Sequence, residues 1–582
     1  DYLCVAGTCA TTDGSVAGYH LVDLATVSST YQVSVFCPAG GVSSPISLNI
    51  ASFSATPSLN PAGIQFTYNV EGLQPGSIII IKGWKQGTIP PLDETTFSTT
   101  GGEDLTYTHI PSGISSSDSF EDFMPEAKKT YTFYLMACNP GLPCMLSPAT
   151  DVTTNGGNPN GNISAIIGIP EVVFDHDNQK CVPDTDPDPD IPDMPARAMR
   201  VGNSILITRT HTNSRMMIGS TFDSLYPNCT IVLNSTLDKN LLTDAELPVP
   251  PESFAHKEWI SSTYYEPNTN IIHMIVHNEF HDPNKDSNLS TLHPCTVYKT
   301  IPGNPCNYFS LTYASATPAS PISTNMFKKK TDWQTNKDSL IVGASHMKWP
   351  GDPIYDNPPP SIPNNTIAPV MGMPMTSNII KRGSHYYMLS QAIQASPSTN
   401  QWHGTCIART NDLSNASSWR FWNGSHYSIR MGSPYEGKNG GPCANVAKNE
   451  IQNMMHSLTW NEYLGKYLLV SSQNNGGPNP DKCGFYFSLS DDLINWTARQ
   501  LLWEVPLTTG PCKGTPNEPT ESRKTYPSII DHSSPSLNFE TSGKNPYLYY
   551  TDYVGVLVTT IDRDLARVPI IFCDSVKEAC GT

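Results

Sequence analysis

Two stretches decide the fold: Thr410-Asn411-Asp412-Leu413-Ser414-Asn415-Ala416-Ser417-Ser418-Trp419 and, further along the chain, Ser490-Asp491-Asp492-Leu493-Ile494-Asn495-Trp496. Each runs from a hydroxyl residue through an aspartate and leucine to a tryptophan, so they read as copies of one repeated element. Trp419 and Trp496 are then expected to pack between neighbouring units. Working outward, residues 194–582 divide into five strand-rich units with no helical periodicity between them: Ala196–Arg215, Trp259–Phe280 with Tyr308–Ala314, Met375–Trp422, His456–Leu502 and Tyr526–Phe572. Each holds an apolar run such as Ser204-Ile-Leu-Ile-Thr, Lys466-Tyr-Leu-Leu-Val or Pro546-Tyr-Leu-Tyr-Tyr. Five repeats of this kind predict a five-bladed β-propeller.

Upstream, residues 45–155 predict a β-sandwich. Strand-like segments lie at Ser47–Phe53, Ile64–Val70, Ile78–Trp84, Leu105–His109 and Thr130–Ala137, separated by Pro/Gly turns. Alternation places Tyr131, Phe133 and Leu135 on one face. Residues 1–44 repeat the closing pattern, since Thr30-Tyr31-Gln32-Val33-Ser34-Val35-Phe36-Cys37 parallels Thr130–Cys138. So short a segment cannot build two sheets by itself. Its exposed edge calls for an upstream domain removed by cleavage, a strand from a neighbouring copy, or packing on its own chain. Residues 156–193 read as a linker, first Gly/Asn-rich and then the stiff, acidic Pro183-Asp-Thr-Asp-Pro-Asp-Pro-Asp-Ile-Pro-Asp193. The fold class is therefore all-β, an immunoglobulin-like sandwich region followed by a five-bladed propeller.

Composition restricts partners and compartment. With 35 basic against 52 acidic side chains, the net charge of -17 argues against nucleic acid. No apolar run reaches membrane-spanning length. A chain that begins at Asp1 is expected to be processed or to start within a longer precursor. Asn-x-Ser/Thr acceptors occur at Asn162, Asn228, Asn234, Asn288, Asn364, Asn415, Asn423 and Asn495, a density expected of a glycosylated surface. The 15 cysteines form no CxxC pair, which removes the usual zinc signature. Close spacing suggests local staples between Cys138 and Cys144, Cys295 and Cys306, and Cys573 and Cys580. An odd count leaves one thiol free, joined to another chain, or without its partner. A secreted or cell-surface, disulfide-stabilised glycoprotein follows.

The repeated Trp419/Trp496 element resembles the outer-strand motif of five-bladed propeller glycoside hydrolases of families 43, 32 and 117, and the opening Asp193-Met-Pro-Ala-Arg197 resembles their first blade. The segment Ser377-Asn-Ile-Ile-Lys-Arg-Gly-Ser-His-Tyr-Tyr387 resembles their third blade, and Thr130–Gly141 resembles the closing strand and turn of a fibronectin type III domain. The propeller resemblance implies carboxylates converging on a central funnel. It places Asp193 at the first-blade position and offers Glu258 and Glu279 in the second. It further implies Arg197, His256 and His277 as positioning groups, with Trp259, Trp402 beside His403, and Trp349 as stacking platforms. In the third blade, where family 43 needs a glutamate, Met371-Gly-Met-Pro-Met-Thr-Ser377 carries no acid. His346, His385 or His403 would have to substitute. No Ser-His-Asp elbow, P-loop, Rossmann glycine set or HExxH occurs, so no cofactor is expected. The sole ion the composition invites is structural calcium on the acidic linker, which lacks the glycine and terminal glutamate of an EF-hand.

Two functions fit these features. One is a structural or adhesive subunit of an extracellular filament, coat or matrix, meeting other copies or neighbouring proteins through its N-terminal sandwich while the propeller holds glycans. The other is a secreted glycoside hydrolase with an accessory sandwich.

Overall fold

The strands form where branched and aromatic side chains alternate with small polar ones, and nearly every long element is extended. The computed structural model describes residues 48–57, 63–86, 97, 105–109, 115–123, 129–140, 142–153, 163–186, 189–234, 254, 257–281, 307–318, 328–329, 341–345, 370–394, 402–473, 482–508, 522–554, 561–575 and 577. The N-terminal segment 1–44 lies outside them.

Residues 49–153 form two facing sheets. One orders the strands Asn49–Pro57, Gly63–Glu71 and Ser115–Phe123; the other is centred on Ile78–Lys85 and Thr130–Cys138. Tyr131, Phe133 and Leu135 are fully buried, on one face as alternation requires, against Ile64, Phe66, Tyr68 and Val70 of the opposite sheet. Phe66 and Phe133 meet edge to face at 4.9 Å.

Beyond the sandwich, five antiparallel units follow one another. Their principal strands are Ala198–Asn234, Lys257–Ala316, Val370–Ile429, Ser457–Glu504 and Arg523–Asp574. The second and third share one sheet through a short parallel contact of Asn307–Phe309 with Val370–Gly372. What closes the set is the sequence of apolar interfaces. Met199, Leu206 and Met216 of the first unit pack on Ile260, Ile272 and Met274 of the second. Tyr264, Leu311 and Tyr313 of the second meet Met388, Trp419 and Phe421 of the third. Tyr387, Leu389 and Trp422 of the third meet Leu458, Tyr467 and Trp496 of the fourth. Leu468, Val470 and Phe485 meet Leu548, Tyr550 and Val568 of the fifth. Ile530, Tyr549 and Leu565 of the fifth return to Ala196, Ile207 and Met217 of the first. The cycle closes, and the architecture is propeller-like. Each large apolar side chain buried there contributes about 1.5–3 kcal/mol, so these interfaces dominate the cohesion of the ring.

Trp419 and Trp496 do pack between units, and the motif's polar residues explain its turn. Thr410 Oγ1 and Ser490 Oγ accept from the backbone N–H groups of Asp412 and Asp492 at 3.0 and 3.1 Å. The aspartates in turn cap the next residues: Ser414 N–H donates to Asp412 Oδ1 and Ile494 N–H to Asp492 Oδ1, each at 2.9 Å.

The stretch expected to be a linker departs from that expectation. Ile163–Ile167 and Glu171–Phe174 both pair antiparallel with the last long strand, Arg563–Asp574, so an early segment completes the last unit. Nor is all of the acidic run solvated. Asp190 is buried, held 3.2 Å from Arg209 Nη2 and 3.5 Å from Arg215 Nη1, and its carboxylate accepts from the Cys181 N–H at 2.8 Å. Two buried guanidiniums need a counter-charge, and Asp190 supplies it.

Cys138 pairs with Cys144 as spacing suggested. Cys181–Cys229 and Cys406–Cys443 are long-range pairs that spacing does not reveal. Cys573 and Cys483 are also disulfide-bonded; Cys295, Cys306 and Cys580 lie outside the described residues.

Candidate functional site

The five units converge on one guanidinium. Arg197 is buried; its Nε donates to the Ser261 carbonyl at 2.9 Å, Nη2 to the Thr376 carbonyl at 2.9 Å, and Nη1 to Ser528 Oγ at 3.2 Å. These acceptors belong to the second, third and fifth units. The fourth contributes His456, whose neutral form is enforced by burial and then by the Arg197 charge, which together push its pKa down to about 3. His456 Nδ1 accepts from the Ser472 N–H at 3.3 Å, which places the proton of the neutral ring on Nε2. Burial pulls Arg197 down to about 9, leaving it charged at neutral pH. Expected from the sequence to touch a ligand, Arg197 instead ties the ring together at its centre. The reason is topological: only closure of the cycle brings Ser261, Thr376 and Ser528 to one point.

Beside this hub lies a cluster of polar and aromatic side chains from the first, second and fifth units. Pairing of Lys257–Glu266 with Ile271–His281 sets Trp259 opposite His277 and Lys257 opposite Glu279. Period-two alternation then puts Trp259, His277 and Glu279 on one face and Glu258 with Asn278 on the other. Glu279 Oε2 lies 3.3 Å from His277 Nε2, and its Oε1 accepts from Asn307 Nδ2 at 2.7 Å. Trp259 sits between two imidazoles, 5.9 Å from the His211 ring and 5.2 Å from the His277 ring. His211 Nε2 in turn lies 4.0 Å from Asp193 Oδ2.

Asp193 is anchored by its own N–H, which donates to the Thr210 carbonyl at 2.8 Å, and it forms an ion pair with Arg563. Burial disfavours the Arg563 charge, but Asp193 together with Tyr553 and Tyr526 more than offsets that and raises its pKa above the ordinary value. The guanidinium also lies over the Tyr553 ring at 4.4 Å. Tyr526 joins this cluster and is partly exposed. Its phenol is held well above the ordinary range by burial, then by the negative charge of Asp193 and, more weakly, of Glu279. Both carboxylates therefore act on one tyrosine. Tyr526 has φ 56°, at the irregularity between Thr525 and Ser528 in its strand pairing. A bulky residue in the left-handed region is strained by about 1–3 kcal/mol, and such strain gathers at functional sites.

The structure thus brings together Asp193, Glu279, His277 and Trp259, and separates Glu258 from them. Glu258 is fully buried and accepts from Asn278 Nδ2 at 3.3 Å. His256 and Trp349 lie outside the described residues. Trp402 and His403 open the strand Trp402–Thr410, opposite Gln394 and Ile393. In the third unit Met371 and Met373 are buried apolar groups, and Thr376 is committed to Arg197 through its carbonyl. Sequence reasoning missed His211, Asn307, Tyr526, Tyr553 and Arg563, which fall in no motif and meet only through the ring. Trp259 Nε1 and His277 Nδ1 are both buried, and neither has a hydrogen-bond partner. With Nε2 donating to Glu279, Nδ1 is an acceptor; a buried donor and acceptor are rarely left so, and a bound polar molecule would satisfy both.

Fold and site together define a propeller-like, all-β protein with a largely buried cluster of polar and aromatic side chains beside its central arginine. No protein-family profile matches the sequence, and no curated protein matches it. Among solved structures, a point mutant of the Cellvibrio cellulosa alpha-L-arabinanase shares 12% identity over 64% of this chain and 89% of its own, with a TM-score of 0.32. The same enzyme with arabinohexaose shares 11% over 68% and 91%, at 0.30. The Penicillium chrysogenum alpha-L-arabinanase with arabinobiose shares 9% over 80% and 91%, at 0.26. These likenesses are distant.

Proposed function

We propose that this chain is an extracellular, disulfide-bonded glycoprotein whose five-bladed propeller binds glycans through the cluster around Trp259, with the N-terminal fibronectin-like sandwich joining it to other copies or neighbouring proteins. The observation that carries the binding role is the pair of buried, unpartnered polar atoms, the Trp259 Nε1 donor and the His277 Nδ1 acceptor, beside carboxylates already engaged. Sugar hydroxyls both donate and accept hydrogen bonds, and the partly exposed Tyr526 offers an aromatic ring beside these atoms.

Recognition fits better than hydrolysis. A hydrolytic pair needs one carboxylate free to take a proton from water and one acid to give a proton to the leaving group. Here Asp193 is neutralised by Arg563, Glu279 is held by His277 and Asn307, Glu258 faces the other side of its sheet, and the Met371–Ser377 stretch of the third unit carries no acid. The extracellular setting draws on the disulfides and on the glycosylation acceptors. Of these, Asn415 and Asn495 are exposed in turns and Asn228 and Asn423 are partly exposed. Among the described residues no helix is long and apolar enough to cross a membrane.

The test is titration of the full chain against a panel of pentose- and hexose-based oligosaccharides by calorimetry, with reducing-sugar release followed in parallel. Saturable binding that weakens at least tenfold in Trp259→Phe and His277→Gln, without release of sugar, is expected. Sugar release abolished by Asp193→Asn and by Glu279→Gln would establish the hydrolase instead. Absence of binding across the panel would remove the glycan role.

A further inference from the structure

We infer that His176, Asp177 and Asp562 form a divalent-metal site of the zinc or manganese class, clasping the place where the early strand Glu171–Phe174 joins the last strand of the ring. The three residues present one ligand atom each, all within 4.8 Å of one another. His176 Nδ1 lies 3.7 Å from Asp562 Oδ1 and 3.8 Å from Asp177 Oδ1. Tetrahedral bonds of about 2.1 Å separate neighbouring ligand atoms by about 3.4 Å, so the two histidine–carboxylate separations need to shorten by only a few tenths of an ångström, and the exposed Asp177 side chain can swing in to close the third.

The imidazole points to a ligand more strongly than the acids do. His176 is 1% exposed, and neither ring nitrogen has a hydrogen-bond partner. An imidazole with both nitrogens orphaned in the interior is costly unless something takes a lone pair. Its backbone is fixed: the His176 N–H donates to Asp564 Oδ1 at 2.8 Å, and Asp175 caps the short helical turn by accepting from the Asn178 N–H at 3.1 Å. On the far side of the ring, Nε2 lies 3.7 Å from Asp184 Oδ1. A metal on Nδ1 would leave the proton on Nε2, facing that carboxylate, which is the carboxylate–histidine–metal relay that orients ligating imidazoles. Lys180 pairs with Asp184 at 2.7 Å and lies 3.6 Å from Asp177, so it neutralises the outer carboxylate and only partly the ligand. Imidazole among the ligands selects zinc or manganese over calcium, which prefers oxygen alone. None of the three ligands belongs to the cluster around Trp259, and they flank the paired strands Glu171–Phe174 and Arg563–Asp574.

The experiment uses the full chain, stripped with EDTA and titrated with zinc by calorimetry, with melting followed in zinc and in EDTA. One saturable site of micromolar or tighter affinity and a Tm that rises with zinc and falls back in EDTA are expected. That site should be lost or weakened at least tenfold in His176→Gln and in Asp562→Asn. Asp177 is 65% exposed, so Asp177→Asn tests a ligand without threatening the fold, and it too should weaken binding. Zinc binding unchanged in all three variants, or none in the parent chain, overturns the assignment. Calcium bound as tightly as zinc overturns the metal class.

Discussion

Replacing Arg197 by methionine keeps most of the side chain's volume and removes every donor at the centre of the ring. Two buried carbonyls, of Ser261 and Thr376, lose their guanidinium partner, while Ser528 Oγ loses a donor but can rotate. Hydrogen bonds from a charged group are worth about 1.5–3 kcal/mol each. Methionine also relieves the burial cost of the charge, which argues for the lower end, about 4–5 kcal/mol for three bonds. Unfolding entropy of about 2.1 cal/mol/K per residue, over the few hundred residues of the ring, converts this to a fall in Tm of roughly 5 °C. Lysine, with one point of charge, should recover only part of it. The assay is differential scanning calorimetry of the full chain, reading the transition assigned to the propeller-like region. A Tm for Arg197→Met equal to or above that of the parent would refute the reasoning. It would mean that the five apolar interfaces hold the ring without the hub.

His456 should make the fold acid-sensitive. Its folded pKa, pushed down to about 3, lies below the unfolded value of about 6.5, so the unfolded chain binds the proton first as pH falls. Stability is lost from about pH 6.5 toward pH 3 at up to about 1.4 kcal/mol per unit. His532, pushed down to about 4, adds to the slope over much of the same range. In urea titrations across that range, His456→Gln should lose roughly half of the histidine-dependent slope, and an unchanged profile would show that His456 is not held neutral. Gly372 has φ 110°, and a Cβ there would collide with the Phe309 carbonyl oxygen in the parallel contact between the second and third units. Gly372→Ala should therefore cost about 3 kcal/mol or more, seen as a lower urea midpoint at constant m-value. Because the same contact contains Asn307, which holds Glu279, glycan affinity should fall with it.

Much of the architecture was legible along the chain because strand formation and turn chemistry are local. The Trp419 and Trp496 elements marked repeated units through residues that bond their own backbone. The alternation in Thr130–Cys138 named the sandwich core residue by residue, and six-residue spacing found the Cys138–Cys144 staple. Of the residues picked out in the sequence, Glu279, His277, Trp259 and Asp193 lie near one another, whereas Glu258 faces the other side of its sheet, because choosing a face depends on strand register and register is set by the partner strand.

What the tertiary structure alone decided follows from ring closure. Arg197 reads in sequence as a ligand-facing cation, but its three acceptors come from residues 261, 376 and 528, and no local rule brings these together. The Asn/Gly and Asp/Pro stretch looks like a free spacer by composition. It becomes part of the ring because Arg563–Asp574 presents an open edge for Ile163–Ile167 and Glu171–Phe174, and because buried Arg209 and Arg215 require Asp190. Sequence determined which segments would be strands and which side chains could serve a polar cluster. Closure of the cycle determined which of them meet, because contacts between residues hundreds of positions apart are set by packing rather than by local preference.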